Sequence, residues 1–596
     1  MSQPSPSPPP PRRRPLPRTT RRPLPRPFTA LRAAFAGGYR GGDLRADLGA
    51  GVVVGIVALP LSMALAVACG VPPQHGLYTA IVAGALTALA GGSAVQVTGP
   101  TAAFVVLLAP ISATYGLGGL LLATVMAGLM LVAMGLARFG RLLQFVSYPV
   151  TAGFTAGIAI VIATLQVKDF LGLPVDELPP HLGGRLGVLA GALPETSWPD
   201  LAVGLFTLAL LVVFPRLTRR VPAPLVALAA GAFLAAGLAV WAGADAATLG
   251  DRFTWRLGER AGSGVPPLPP VFSLPWTLPG PDGRPLGLSM ELLRALLPSA
   301  LAIAFLGAIE SLLSAVISDG MSGRQHDPDG ELLGQGLGNL VAPFFGGFAA
   351  TGAIARTATN VRAGARSPLA AVVHALFVLA AMVALAPLLG DLPMASLAAL
   401  LLVVAWNMAE ARHFARVLSK APRSDALVLL VCCGLTVVFD MVVAVAVGVV
   451  LAALLFMRRM AEVSDVVLVG EGGHPPVGGL PRNVVVYEVN GPLFFGATHK
   501  AMGALARVAT GVDVVLLDLS EVPAIDATGL VNLGSAVDRL TAGGVFVVLG
   551  GVQEQPLRAL LRGGWRERRG LAIHRDLGRA VDRARREAEA AGARAA

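Results

Sequence analysis

Long apolar runs separated by short polar loops fill residues 44–459. They lie near 48–69, 75–92, 99–110, 118–137, 143–167, 201–216, 222–243, 295–318, 332–346, 352–361, 368–389, 393–409, 424–439 and 441–457. A helix rises about 1.5 Å per residue and a hydrocarbon core is roughly 30 Å thick, so about 20 residues make one crossing. The pattern predicts fourteen crossings, two of them half-length. One short run follows Gln96-Val97-Thr98-Gly99-Pro100-Thr101-Ala102-Ala103-Phe104, where a backbone breaker and small hydroxyl residues interrupt the apolar sequence. From Thr101 to Ala109 about ten residues remain before Pro110, a reach of about 15 Å. The other short run begins at Ala350-Thr351-Gly352-Ala353-Ile354-Ala355-Arg356-Thr357. A helix that starts inside the membrane leaves its first N–H groups unpaired there. That is tolerated only where the backbone lines a cavity, and the positive end of the helix dipole makes such a cavity attractive to anions. Two interrupted segments in corresponding halves of a chain point to a transporter's binding site.

Loop charges test this registration. With a cytosolic N-terminus, Arg138 and Arg141, Arg216, Arg219 and Arg220, Arg362 and Arg366, and Arg412, Arg416, Lys420 and Arg423 all fall inside. The opposite short loops around Val71–His75, Ala113–Leu117 and Gly390–Leu392 carry no Lys or Arg, as the positive-inside rule requires for an even number of spans. Two longer insertions, about 169–200 and 244–292, are rich in Pro and Gly and read as outward caps or connectors. After Arg458 and Arg459 the pattern changes. Residues 460–482 read as a linker, and 483–596 alternate strands (Val484–Val489, Phe494–Phe495, Val514–Leu519, Val545–Leu549) with helices near 498–508, 527–541, 555–562 and 576–592. That alternation predicts a cytosolic α/β sheet domain.

Composition agrees: 54% hydrophobic and 14% charged residues with a mean hydropathy of +0.69 mark a polytopic membrane protein. The net charge of +11 does not indicate a nucleic-acid partner, because ten arginines against one aspartate sit in residues 1–45. Pro- and Arg-rich residues 1–43 bury no core and read as a disordered cytosolic tail, either a topology-setting solvated segment or one that meets anionic lipid. The first thirty residues lack the apolar stretch of a cleavable signal. Cys69, Cys432 and Cys433 lie in apolar runs without metal-ligand spacing and read as buried thiols. Neither a metal nor a cofactor is called for, and no nucleophile–base constellation or phosphate-binding loop suggests an enzyme.

Several motifs in order identify a family. Gly55-Ile56-Val57-Ala58-Leu59-Pro60-Leu61-Ser62-Met63-Ala64, Gly70-Val71-Pro72-Pro73-Gln74-His75-Gly76-Leu77-Tyr78 and Val97-Thr98-Gly99-Pro100-Thr101-Ala102-Ala103 resemble the sulfate permease (SulP) family of anion transporters. So do Gly307-Ala308-Ile309-Glu310-Ser311-Leu312-Leu313, Gly334-Gln335-Gly336-Leu337-Gly338-Asn339 and Val403-Val404-Ala405-Trp406-Asn407-Met408. The runs 342–347 and 353–365 look most like the bacterial C4-dicarboxylic acid transporter branch. The resemblance implies a polytopic all-α membrane domain, residues 44–459, of two inverted seven-segment repeats. Segments one to four and eight to eleven would form a core, and the others a gate. Anions would bind between the facing N-termini of segments three and ten and cross by an elevator-like displacement, in a homodimer of the inner membrane. Residues 483–596 resemble a STAS domain, with Asp518-Leu519-Ser520 ending a strand. There Ile525-Asp526-Ala527-Thr528-Gly529-Leu530 matches a loop that holds a phosphorylatable hydroxyl, placing Thr528 at that position. A local helix cap by Asp526 and Thr528 is the other reading.

The candidate residues follow. Glu310 lies in the apolar run Leu296–Ile317, where an ionised carboxylate costs about 3 kcal/mol on the insertion scale, so it must be protonated, paired or hydrated. With Ser314 one turn along the same face, it is the candidate for cation coupling, by proton or, with Thr357, by sodium. The alternative is a structural pair with Arg356. The Arg356 guanidinium suits a bidentate anion or, alternatively, a helix-end contact. Backbone N–H groups near Thr101, Ala102, Ala355 and Arg356, beside Thr357, are the main anion contacts. Ser62 and Gln96 either bind anion or water or satisfy backbone freed by Pro60 and Gly99. His75 and His374 read as turn and core histidines. The expected function is a proton-coupled carrier of C4-dicarboxylates such as succinate, with sulfate or bicarbonate import as the rival. A membrane-anchored signalling module whose STAS domain recruits a cytosolic partner is the reading from another class.

Overall fold

The structure, a computed structural model, describes residues 26–143, 147–175, 178–179, 181–218, 221–257, 260–280, 282–439, 441–463, 465–469, 480–494 and 511–595. The chain divides into two units, Met1–Val449 and Val450–Ala596. Helix α1 (Thr29–Ala36) precedes the fourteen expected segments, each of which falls on helix. These are α2 (Gly41–Ala68), then α3 (Pro73–Tyr78) continued through a π-turn Thr79–Ala83 into α4 (Gly84–Ala90), α5 (Ala102–Leu136, holding two segments), α6 (Tyr148–Phe170), α7 (Trp198–Leu217) and α8 (Ala223–Ala242). The second half holds α9 (Met290–Ser322), α10 (Pro328–Val341), α11 (Ile354–Arg362), α12 (Leu369–Gly390), α13 (Met394–Ala409), α14 (Arg423–Val438) and α15 (Met441–Val463). Among the described residues, nine helices are long and apolar enough to cross a membrane alone. A helix satisfies its own backbone, which is why apolar crossings take this form.

Packing sorts the segments into the expected core and gate. α2 lies against α12, while α5 lies against both α9 and α10. Separately, α6 packs on α13 and α14, and α7 on α8 and α13. Segments three and ten are each introduced by a two-residue strand, β1 (Thr98–Gly99) and β4 (Thr351–Gly352), which pair antiparallel. The insertion between α8 and α9 carries a hairpin of β2 (Thr254–Leu257) and β3 (Arg260–Ser263).

The structure departs from the sequence reading at four places. Residues 26–43, placed in a disordered tail, contain α1, a Pro-free Ala-rich stretch anchored where the Phe28 amide donates to the Ala90 carbonyl at 2.8 Å. Residues 1–25 lie outside the described residues. The first half-helix does not stop at Pro110, which sits inside α5. It ends at Gly116, whose φ of 67° and ψ of −173° break the helix. A side chain at that φ would be strained, and a Cβ there would lie 2.8 Å from the Gly280 carbonyl carbon. The half-helix Ala102–Tyr115 is thus about 21 Å long at helical rise. In the third case, the linker assigned to 460–482 begins with regular structure: α15 runs to Val463 and β5 (Asp465–Val469) pairs with the sheet beyond it. Val466 to Val469 are an apolar strand former that finds an edge to join. Lastly, the five-stranded sheet contains β9 (Leu571–Ile573), too short to show in the sequence pattern.

The second unit orders its sheet β5-β6-β7-β8-β9, with β6 (Val484–Asn490), β7 (Val514–Asp518), β8 (Phe546–Gly550) and β9 parallel and β5 antiparallel. Helices α16 (Ala527–Ala542), α17 (Glu554–Arg562) and α18 (Leu577–Ala595) cover it. Alternate residues of β7 serve two cores: Val515 and Leu517 join the cluster under α16 and α17, and Val514 and Leu516 the cluster with Ala580 and Ala584 of α18. Strand period two with both faces buried is the signature of such a sheet. The expected helix at 498–508 and Phe495 lie outside the described residues.

Candidate anion site between two half-helices

Two identical Thr-Gly dipeptides build the centre of the core. Thr98 pairs with Gly352 and Gly99 with Thr351, so the two lead-in strands are related by a local two-fold. The ladder is extended by the Ala353 amide, which donates to the Val97 carbonyl at 2.9 Å. Each strand turns directly into a helix, α5 through Thr101 and α11 through Ala353. Both residues are extended, and neither side chain bonds a first-turn amide. The unpaired N–H groups and positive dipole ends of both helices therefore start from one short ladder.

The charged residues meet here. Arg356 is only 2% exposed. Its Nη2 donates to the Pro100 carbonyl, tying the second half-helix to the start of the first. Its Nε and Nη1 have no hydrogen-bond partner among the described residues. Gly99 permits this position: a Cβ there would lie 2.5 Å from Arg356 Nη1. Glu310, half-buried on α9, accepts a hydrogen bond from the Thr101 hydroxyl at 3.1 Å, and Arg356 is the positive charge that acts on it. The Glu310–Arg356 salt bridge, the alternative to a coupling role, is not made among the described residues; Arg356 reaches Pro100 instead.

The other expected residues divide into two groups. Thr357 accepts from the Val97 amide at 3.1 Å and from the Ser314 hydroxyl at 3.3 Å, so Ser314 and Thr357 are brought together beside the ladder. Ala102 is buried as the first residue of α5, whereas Ala355 is exposed. Gln96 is committed to the scaffold, donating to Ser311 at 2.8 Å and Glu331 at 3.0 Å. Ser62 is fully buried in α2, and its hydroxyl bonds nothing among the described residues. His75 shares a 2.7 Å hydrogen bond with the Gly346 carbonyl. His374 is buried, and neither ring nitrogen has a hydrogen-bond partner among the described residues.

Glu331 was not singled out by the sequence reading, although it organises the region. Its Oε2 accepts from the Gly92 and Ser93 amides, both at 3.0 Å, and its Oε1 from Gln96 at 3.0 Å and Ser311 at 3.2 Å. The available signal was its four-residue spacing from Gln335 and from there to Asn339 in the apolar segment nine. In the second unit, Asp526 caps α16 by accepting from the Gly529 amide at 2.6 Å, and Thr528 is exposed in its first turn. The described residues contain no group of three or more His, Cys, Asp or Glu able to hold a metal.

Known proteins are similar to this chain in sequence and fold. Residues 44–432 match the Sulfate permease family and residues 480–576 the STAS domain. YvdB of Bacillus subtilis (strain 168), which carries the name of a candidate sulfate transporter, is 38% identical over 504 residues, covering 84% of this chain and 90% of that protein. The bicarbonate transporter BicA of Synechocystis is 27% identical over 515 residues, covering 81% of this chain and 84% of its own. Among solved structures, SLC26A9 shares the fold with a TM-score of 0.78 at 18% identity over 97% of this chain and 98% of that one. The transmembrane domain of a cyanobacterial BicA gives 0.57 at 26% identity, over 69% and 97% respectively. With its helical membrane unit, paired half-helices and STAS domain, this chain belongs to the sulfate permease family of anion transporters, and it is a transporter rather than an enzyme.

Proposed function

We propose that the chain is a secondary transporter that imports a small oxyanion, sulfate foremost, together with a proton carried by Glu310. The observation behind this reading is the pair of half-helix N-termini joined by the β1–β4 ladder, with a buried Arg356 whose Nε and Nη1 remain free of protein partners among the described residues. Nε–H and Nη1–H lie on different sides of the guanidinium, so each is left to donate a charge-assisted hydrogen bond to an oxygen of a sulfate or carboxylate. Thr101 stands at the start of the first half-helix and bonds Glu310, so protonation of the carboxyl and anion occupancy are one hydrogen bond apart. Movement of the core against the gate would carry the site across the membrane. The names of the relatives favour sulfate or bicarbonate. Succinate-like C4-dicarboxylates are the second reading, favoured by the resemblance of 342–347 and 353–365 to that branch. Sodium in place of the proton would use Glu310, Ser314 and Thr357. A homodimer in the inner membrane with both termini cytosolic completes the reading. The exposed Thr528 is an accessible hydroxyl for phosphate, and intact-mass analysis of protein from native cells under varied growth conditions decides whether it carries any.

Uptake of labelled sulfate, bicarbonate and succinate into proteoliposomes, each with and without an inward proton or sodium gradient, tests the reading. Sulfate uptake accelerated by the proton gradient is expected. Succinate uptake without sulfate uptake would replace the substrate, and acceleration by sodium alone would replace the coupling ion.

A further inference from the structure

One face of α10 holds both lead-in strands. Glu331, Gln335 and Asn339 stand four residues apart, so they line a single stripe of the helix, and all three are at most 2% exposed. Glu331 grips the approach to the first half-helix through the Gly92 and Ser93 amides and Gln96. Asn339 grips the approach to the second like a strand edge, accepting from the Ala350 amide at 2.8 Å and donating to the Ala350 carbonyl at 2.9 Å. Gln335 bridges the two: its Nε2 donates to Ala350, while its Oε1 accepts from Thr98 at 3.3 Å and from Ser311 at 3.4 Å. Ser311, next in sequence to Glu310, shares its one hydroxyl proton between Glu331 and Gln335. Buried polar side chains that are this fully engaged impose one arrangement on what they hold, because any shift strands a donor or acceptor out of water.

We propose that Glu331, Gln335 and Asn339 are positioning residues for anion transport: they fix the spacing of the two half-helix N-termini and so set the affinity of the site. Among the described residues none of the three hydrogen-bonds a half-helix end or Arg356; they act through the strands. This inference rests on the anion-carrier reading given above. It also gives a physical reason for the run Gly334-Gln335-Gly336-Leu337-Gly338-Asn339, in which polar residues face the ladder and glycines alternate with them.

The full-length protein in proteoliposomes tests this with Glu331→Gln and the exchange Gln96→Glu/Glu331→Gln. In the single variant the new amide sets its NH2 against that of Gln96, two donors facing each other. The exchange restores one donor and one acceptor with the same net charge. Loss of one such bond predicts a KM for labelled sulfate raised about tenfold in Glu331→Gln with Vmax within about twofold. The exchange should return KM to within about twofold of the parent. A raised KM that the exchange leaves uncorrected, or variants that lose thermal stability while KM stays unchanged, would overturn the proposal. If Glu331→Gln fails to fold, the exchange variant decides alone: parental KM supports the pairing, and a raised KM in a folded protein refutes it. A second readout is independent of transport: the rate at which methanethiosulfonate ethylsulfonate labels Ala355→Cys, less the background of the three native cysteines. Failure of the parent to carry sulfate, bicarbonate or succinate would refute the carrier reading. Positioning would still be judged by whether Glu331→Gln changes that rate and the exchange restores it, and an unchanged rate would refute it.

Discussion

Arg356 shows how little room the centre of the core allows. Its guanidinium lies against Gly99 and reaches the Pro100 carbonyl, so a single methyl group at residue 99 meets Nη1 at 2.5 Å. Gly99→Ala is expected to push the guanidinium off Pro100 and raise the sulfate KM, with an overpacking cost of about 1–3 kcal/mol readable as a lowered melting temperature. Gly307→Ala serves as the control, since its Cβ meets only side-chain carbons, Phe104 at 3.3 Å and Leu131 at 3.9 Å. Parental KM in Gly99→Ala would show that the guanidinium position is irrelevant to transport. Arg356 and Glu310 were legible in the sequence because a charge inside an apolar run has few bland explanations. Glu331 was not, because it follows Asp327 and Asp329 at a segment start, where a carboxylate usually faces water. For Gln96 the sequence leaves an anion ligand and a backbone-satisfying role equally open, since it shows a polar group without showing that it bonds Ser311 and Glu331.

At the scale of elements, the break in segment three is a glycine feature. Pro110 lacks an N–H, yet α5 continues through it, and membrane helices accommodate such prolines by local adjustment. Gly116→Ala forces a side chain into φ 67° against the Gly280 backbone and is expected to cost about 1–3 kcal/mol. Pro110→Ala should change the thermal midpoint far less. An equal loss in both would restore Pro110 as the terminator that the sequence suggested. The same scale separates what strands reveal. β6, β7 and β8 are runs of buried β-branched and apolar residues and were legible, whereas three-residue β9 and β5 depend on pairing partners that no local pattern announces. The cap on α16 was legible, since Asp526 opens an apolar helix and bonds Gly529. Asp526→Ala should lower the stability of the sheet unit by about 1 kcal/mol, measured as faster denaturant-dependent hydrogen exchange of the β7 amides. Unchanged exchange would mean that the Gly529 amide finds another acceptor.

For the molecule as a whole, the membrane made the sequence readable. A hydrocarbon core admits only helices and closed barrels, and long continuous apolar runs select the helix, so fourteen segments, their core and gate grouping, and the two interrupted ones could be placed from hydropathy and family motifs together. The size of the anion could not, because dipole ends and a guanidinium accept any compact oxyanion. The central claim is that one site joins an anion to a movable proton on Glu310. The direct test compares the parent with Glu310→Gln in proteoliposomes, measuring gradient-driven accumulation of labelled sulfate and, separately, sulfate exchange at equal pH on both sides. A fixed neutral side chain should abolish proton-driven accumulation while exchange persists, because the half-helices still hold the anion. If Glu310→Gln accumulates sulfate under a proton gradient as the parent does, the claim is wrong.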